Sequence, residues 1–269
     1  MTGIGKQTVL DVGADPIPLR DVASVRSLVQ GMNRVLRDSV GGSLVERFDL
    51  VVEILFLKML DERLVSAGEP SSLGVTDPEA EGIEAVESLW TRALTLYPFL
   101  PSTGRPRLLQ HAGVIGPLFA AVSSVSVSSS PGDVKGSAYE ELLHNTFEKN
   151  ENQQFFTPHN VVEFMVGLVR PARGMRVCDP ACGSGGFLIE TFRRLAALGA
   201  TADEVELVGA EVDERMAWVA QVNLLMHGYD KPAIGHLRGT GSLGVWEDVR
   251  PLLRQGSFAL ILTNPPFGI

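Results

Sequence analysis

The stretch Arg176–Leu188, R-V-C-D-P-A-C-G-S-G-G-F-L, decides the fold. Its apolar lead (Met175, Val177, Cys178) stops at an acid, Asp179. Pro180, Ala181 and Cys182 follow, then three glycines in four positions, Gly183, Gly185 and Gly186, with Ser184 among them. A helix-like run opens at Phe187. That order predicts strand, tight turn and helix, because glycine lets the backbone turn sharply and approach a ligand where a Cβ would clash. The helix start also presents unpaired N–H groups above the turn. Taken alone, such a turn fits a plain chain reversal as well as a cofactor loop.

A second fixed point lies at the far end. Ser257–Thr263 (S-F-A-L-I-L-T) is a continuous apolar run, which suits a strand buried on both faces of a parallel sheet. It leads directly into Asn264-Pro265-Pro266-Phe267, where two prolines cannot continue a ladder. Asn264 therefore lands at the carboxyl edge of the sheet, where open α/β folds bind ligands. So apolar a strand is expected centrally, so the sheet is expected to be incomplete beyond it or to rely on another chain.

Between and before these points the chain divides by composition near Asn150. Met1–Pro18 reads as a loose tail, Val22–Arg37 as an amphipathic helix, and Leu44–Val65 as the centre of a helical bundle. Ser43 and Glu46 start that second helix as a capping box. Pro78–Tyr97, Leu108–Val122 and Gly136–Lys149 read as further helices, and the serine-rich Ser123–Gly132 as a flexible linker. After Asn150 strands and helices alternate. The helix Pro158–Val169 has Thr157 as its N-cap and Pro158 at its first position. Then come strand Met175–Cys178, helix Gly186–Leu198, strand Glu206–Ala210 ending in Glu211, helix Asp213–His227, strand Ala233–Leu237, a helical or loop segment Trp246–Arg254, and strand Phe258–Thr263. Alternation of this kind predicts a parallel, doubly wound sheet. The expected architecture is α/β: a helical domain over 1–150, then a Rossmann-like core over 151–269 that stops after its fourth strand.

Composition bounds the function. With 45% hydrophobic and 20% charged residues the chain has the make-up of a soluble globular protein, and no apolar run is long enough to span a bilayer. No secretion signal opens it. The two cysteines, Cys178 and Cys182, both lie in the glycine stretch and read as reduced turn residues, not as a disulfide or metal pair, which points to a cytoplasmic setting. The formal net charge of −9 lacks the basic footprint of a stand-alone nucleic-acid binder, so most of a grip on DNA phosphates would come from a partner or from sequence outside these 269 residues.

Asp179-Pro-Ala-Cys-Gly-Ser-Gly-Gly-Phe-Leu together with Asn264-Pro-Pro-Phe-Gly resembles the adenine-N6 DNA methyltransferases, in particular the modification (M) subunits of type I restriction-modification systems. Phe155-Phe156-Thr157-Pro158, Asn223-Leu-Leu-Met-His-Gly228 and the N-terminal helical domain are similar to the same group. The resemblance implies S-adenosylmethionine as cofactor, duplex DNA as substrate, and a hetero-oligomer with a specificity subunit and a restriction subunit. It implies a cofactor site from Phe155, Phe156, Thr157, Pro158, Asp179, Pro180, Ala181, Gly183, Ser184, Gly185, Gly186, Glu211 and Ser242. Asp179 would meet the amino group or simply cap the turn, and Glu211 the ribose hydroxyls. The catalytic set would be Asn264, Pro265, Pro266 and Phe267. The Asn264 oxygen and the Pro265 carbonyl would accept the two hydrogens of an adenine amine, and Phe267 would stack on the flipped base. The sequence departs from the family where an acid is usual in the third-strand loop, since Gly241 stands there between Thr240 and Ser242. Two other readings remain open on the residues. One is an amino-methyltransferase for protein glutamine or RNA. The other is a cofactor-binding assembly module inactive alone.

Overall fold

A computed structural model describes residues 16–74, 78–97, 100, 106–147, 157–239, 241–244 and 251–265. They form two compact units. One takes in Met1–Leu89 and Pro106–Pro131, the other Trp90–Arg105 and Gly132–Ile269. The contacts thus divide earlier than the compositional change near Asn150.

In the first unit, helix α1 (Val22–Ser39) starts at Asp21, whose carboxylate accepts from the Ser24 amide. Helix α2 (Leu44–Ser66) has the expected capping box between Ser43 and Glu46. Every residue of α2 from Phe48 to Asp61 is buried, as befits the centre of a bundle. Its buried polar side chains pin other segments. Asp49 pairs with Arg107, Glu53 accepts from the Arg107 and Leu108 amides at 2.9 Å each, and Asp61 accepts from Ser71 and Ser72. Helix α3 (Pro78–Leu96), whose residues up to Leu89 belong to this unit, follows, and a short 3₁₀ turn leads into α4 (Ala112–Ser123).

Two expectations are corrected in this unit. Ile17–Pro18 of the supposed tail forms a short strand, β1, parallel to β2 (Val125–Ser126) in the supposed serine linker. That segment is fixed because its hydroxyls and amides have partners. Ser130 Oγ accepts from the Leu19 amide and donates to the Ser126 carbonyl, while Glu62 accepts from the Val127 and Ser128 amides. Serine content signals flexibility only where such bonds are missing.

In the second unit, α5 (Gly132–Phe147) lies against α8 (Glu214–Met226), with the Tyr139 hydroxyl donating to the Val219 carbonyl at 3.4 Å. Four parallel strands form the sheet: β3 (Arg176–Asp179), β4 (Glu206–Glu211), β5 (Ala233–His236) and β6 (Leu260–Ile261), in the order β5-β4-β3-β6. Helices α7 (Gly186–Ala197) and α8 cover one face, packing Leu188, Ile189, Ala217 and Ala220 on Val177, Leu207 and Ile234. The other face carries Val208 and Ala210 under Leu252. Helix α6 (His159–Val169) packs Val162 and Val166 against Phe187 and Leu262.

The sheet is parallel and doubly wound as expected. Among the described residues β6 pairs with β3, and Ile261 is 59% exposed, in line with the expectation that the sheet is incomplete beyond this strand. Of the segment Trp246–Arg254, residues 246–250 lie outside the described ones, and Pro251–Leu253 forms a turn that seats Leu252 in the core.

Gly209 in β4 lies beneath the glycine turn. A Cβ there would sit 2.5 Å from Ile234 Cδ1, 3.0 Å from Cys182 Sγ and 3.1 Å from Leu188 Cδ1. Gly209→Ala is expected to destabilise the core by about 1–3 kcal/mol through overpacking. Denaturant unfolding measures this, and an unchanged midpoint would show that the turn does not rest on β4.

Candidate active site

Order β5-β4-β3-β6 puts the switch of winding direction between β3 and β6, the crevice that open α/β sheets use for ligands. The glycine turn leaves β3 on one side of that crevice, and the Asn264-Pro265 rim leaves β6 on the other.

Each part of the turn is held. The Ala181 amide donates to Asp179 Oδ1 at 3.1 Å, and the Cys182 amide to the Ala210 carbonyl at 2.9 Å. Gly183 adopts φ +53° and Gly185 φ +90°, the left-handed region that favours glycine. A Cβ at Gly183 would meet nothing within 4 Å, so the turn leaves open space above it. Asn223 on α8 donates from Nδ2 to the Ser184 carbonyl at 3.0 Å. Gly185 is the N-cap of α7 and faces Ala220, so it supports the turn from below.

Glu211, at the end of β4, binds the turn directly. Its Oε2 accepts from the Gly183 amide at 2.8 Å, and its Oε1 from the Val212 and Asp213 amides at 2.8 and 3.0 Å. The carboxylate is thus an anchor for the loop as well as a lining group of the site.

Across the crevice, Asn264 Nδ2 donates to Thr157 Oγ1 at 3.0 Å, a contact between residues 107 apart. This corrects the reading of Thr157 as a helix cap. Pro158 holds the N-cap position of α6 with φ −54° and ψ 134° and without a side-chain cap bond. The threonine hydroxyl turns to Asn264 instead.

One cavity of about 820 Å³ joins these parts. Asp179, Pro180, Ala181, Gly183, Ser184 and Gly186 line it from the turn, Glu211 and Ser242 from the ends of β4 and the β5 loop, and Thr157, Asn264 and Pro265 from the opposite rim. Pro158 and Gly185 lie outside the lining. Phe155, Phe156, Pro266 and Phe267 fall outside the described residues. Gly241 has φ +59° in a 3₁₀ turn, a conformation that strains the acid usual at that place. Val212, Met216 and Leu243, which the sequence did not single out, also line the cavity, as does Asn223, noted by sequence only as part of the Asn223–Gly228 helix end. Leu243 is 91% exposed and Val212 49%, so both offer apolar surface to a flat ring. For Val212 the available signal was its place directly after the strand-ending Glu211.

The electrostatics favour a cation. Burial pushes the Asp179 carboxyl up to about 7; the Thr263 hydroxyl, near it but short of hydrogen-bond geometry, and the Ala181 amide pull it down, and the Glu211 charge raises it further. A buried acid in this state gains most from a positively charged ligand, because ionising it then creates a pair. Burial also drives the Cys178 thiol up to about 12 and the Cys182 thiol well above its ordinary value, so both cysteines are inert packing groups. No helix among the described residues is long and apolar enough to cross a membrane.

A glycine cradle, two strand-end acids and an Asn rim at the switch point define the doubly wound class of α/β proteins that hold a nucleotide-type cofactor. The model of the N-6 DNA Methylase family matches residues 130–269. Among curated proteins, the type I restriction enzyme EcoEI methylase subunit of Escherichia coli is 30% identical over 149 residues, 52% of this chain and 29% of that protein. The MjaVII methylase subunit of Methanocaldococcus jannaschii is 31% identical over 138 residues, 51% of this chain and 22% of that protein. The solved type I restriction-modification methyltransferase subunit from Streptococcus thermophilus shares the fold at TM-score 0.64 and 15% identity, over 92% of this chain and 64% of its own. The chain belongs to the N-6 DNA methylase family, and it spans less than a third of the length of either curated relative.

Proposed function

We propose that the chain is the catalytic subunit of an S-adenosylmethionine-dependent DNA adenine-N6 methyltransferase, working in the cytoplasm with a specificity subunit, and with a restriction subunit as a further partner. The observation that carries this reading is the single cavity shared by the glycine turn and the Asn264–Pro265 rim. The open space over Gly183, the cation-seeking Asp179 and the apolar Val212 and Leu243 suit the amine, sulfonium and adenine of that cofactor. When bound, it supplies an electrophilic methyl group on sulfur.

The residues then divide the work. Asp179 takes the ammonium, Glu211 the hydroxyls of the ribose, Ser242 the adenine in place of the acid usual there, and the turn amides the remaining polar groups. An adenine amine is a poor nucleophile because its lone pair is shared with the ring. Asn264 Oδ1 and the Pro265 carbonyl accept its two hydrogens and draw the lone pair out of conjugation, towards the methyl. After transfer the nitrogen is cationic, and it sheds one proton to solvent at the rim, where Asn264 is exposed. Pro266 and Phe267 flank the base in this reading, which requires the adenine to leave the duplex. With a net charge of −9 the phosphate grip belongs to the specificity subunit.

Incubating the chain and a co-expressed specificity subunit with methyl-labelled cofactor and unmodified duplex DNA, protein or RNA tests this. Label on adenine N6 is expected. Label on glutamine or RNA, or none, would replace this function with one of the two rivals.

A pH dependence follows. The folded-state value of Asp179, near 7, exceeds its ordinary 3.8, so its contribution to folding is complete below about 4 and is lost as pH rises through 7. Binding an ammonium reverses the preference and requires the ionised acid. Cofactor affinity should therefore fall roughly tenfold from pH 8 to pH 6. Calorimetry on Asp179→Asn should give a weak affinity without that slope, and a slope that persists would place the titrating group elsewhere.

A further inference from the structure

Thr157 and Asn264 make a contact that neither cofactor binding nor helix capping explains. An Asn amide presents an oxygen acceptor on one side and two N–H donors on the other, and rotation about its last torsion exchanges them. Only one orientation serves an amine substrate, which offers hydrogens and needs acceptors. The reversed amide would aim donors at donors. At an exposed position such as Asn264 nothing intrinsic selects between the two. The structure holds one of them, with Nδ2 bonded at 3.0 Å to Thr157 Oγ1.

We infer that Thr157 is a positioning residue: its hydroxyl tethers the Asn264 amide and serves as the acceptor for Nδ2 when the hydrogens of the target amine draw Oδ1 of the same amide towards them. Its placement supports this. Thr157 lies just before α6, and Pro158 takes the cap position, so the hydroxyl is not drawn back onto the helix amides. Packing of Val162 and Val166 on Phe187 and Leu262 fixes α6 against the segment that leads into Asn264. The hydroxyl and the amide are thus carried by two elements that share one core cluster. The inference rests on the methyltransferase reading, and it assigns Thr157 to the catalytic rim in addition to the cofactor site.

The test uses the full chain with its specificity subunit and has two readouts. In the first, steady-state methyl transfer is followed at saturating S-adenosylmethionine and DNA. Thr157→Val should lower kcat about fivefold to tenfold, the worth of one ordinary hydrogen bond, with the KM for DNA unchanged. Thr157→Ser should recover most of the loss. In the second, the chain is labelled with ¹⁵N-asparagine, and the Asn264 side-chain resonances are identified by their disappearance in Asn264→Asp. Solvent exchange of the Nδ2 protons should be slowed in the native chain and in Thr157→Ser, and fast in Thr157→Val. Equal exchange in all three, an undiminished kcat in Thr157→Val, or a Ser variant as slow as Val would overturn the inference. A native complex that transfers no methyl group would count against the proposed function instead, and the exchange rates would still decide whether Thr157 holds the amide.

Discussion

Asn264→Ala is expected to lower methyl transfer about 10²- to 10³-fold, the usual cost of removing one preorganised polar group from a site where charge develops. The change deletes one of two acceptors for the amine hydrogens and leaves the Pro265 carbonyl. Folding should not suffer, because the side chain is exposed and its one described bond is to the Thr157 hydroxyl at the rim. Cofactor affinity should also hold, since the proposed function assigns the methionine and nucleoside parts to the turn and the strand-end acids. Single-turnover rates measured beside a thermal melt separate these quantities. A variant with native turnover would remove Asn264 from the chemistry, and one with a lowered melting temperature would show the residue to be structural.

The second large effect belongs to Glu211. Its carboxylate accepts from three backbone amides, those of Gly183, Val212 and Asp213. Glu211→Ala strips the glycine turn of its tie to β4 and removes the acid proposed for the nucleoside hydroxyls. Charge-assisted hydrogen bonds contribute about 1.5–3 kcal/mol each, so cofactor affinity should fall about tenfold to a hundredfold. Glu211→Gln is informative because its amide nitrogen cannot accept. One of the two ends of the carboxylate must then oppose a backbone N–H, and this variant should lose most of the same affinity. Calorimetric titration gives both values. Unchanged binding in either variant would remove Glu211 from the cofactor site and leave it a tether of the turn only.

How much of this was legible in the sequence depends on how local each signal is. The glycine turn was, because the left-handed conformations at Gly183 and Gly185 need glycine whatever surrounds them. The rim was as well, since two prolines end a strand by their own geometry. The alternation of strands and helices predicted the parallel sheet, and the capping box at Ser43 and Glu46 marked a helix start correctly. Signals that depend on distant partners were not legible. Serine hydroxyls from 126 to 130 read as a linker, yet they bond to Leu19 and lie beside amides held by Glu62. Thr157 reads as a cap by its neighbours, but its bond is to a residue more than a hundred positions away. Glu211 reads as a ligand-facing acid, and its hold on Gly183 shows only once β4 lies beside β3.

Asp179 shows why the site needed both kinds of reading. Its place between strand and glycine turn suits a ligand contact or a turn cap, and its raised pKa comes from burial that only the assembled sheet provides. The same holds for Val212 and Leu243, ordinary surface residues by sequence that stand at the cavity mouth in the fold.

Two separate loops serve one reaction in the proposed function. Diffraction from crystals of the chain grown with S-adenosylhomocysteine is the direct test. The sulfur should face the Asn264 amide across the cavity, with the amino group on Asp179 and the nucleoside beside Glu211. A ligand seated away from the glycine turn, or one whose sulfur points away from Asn264, would contradict it.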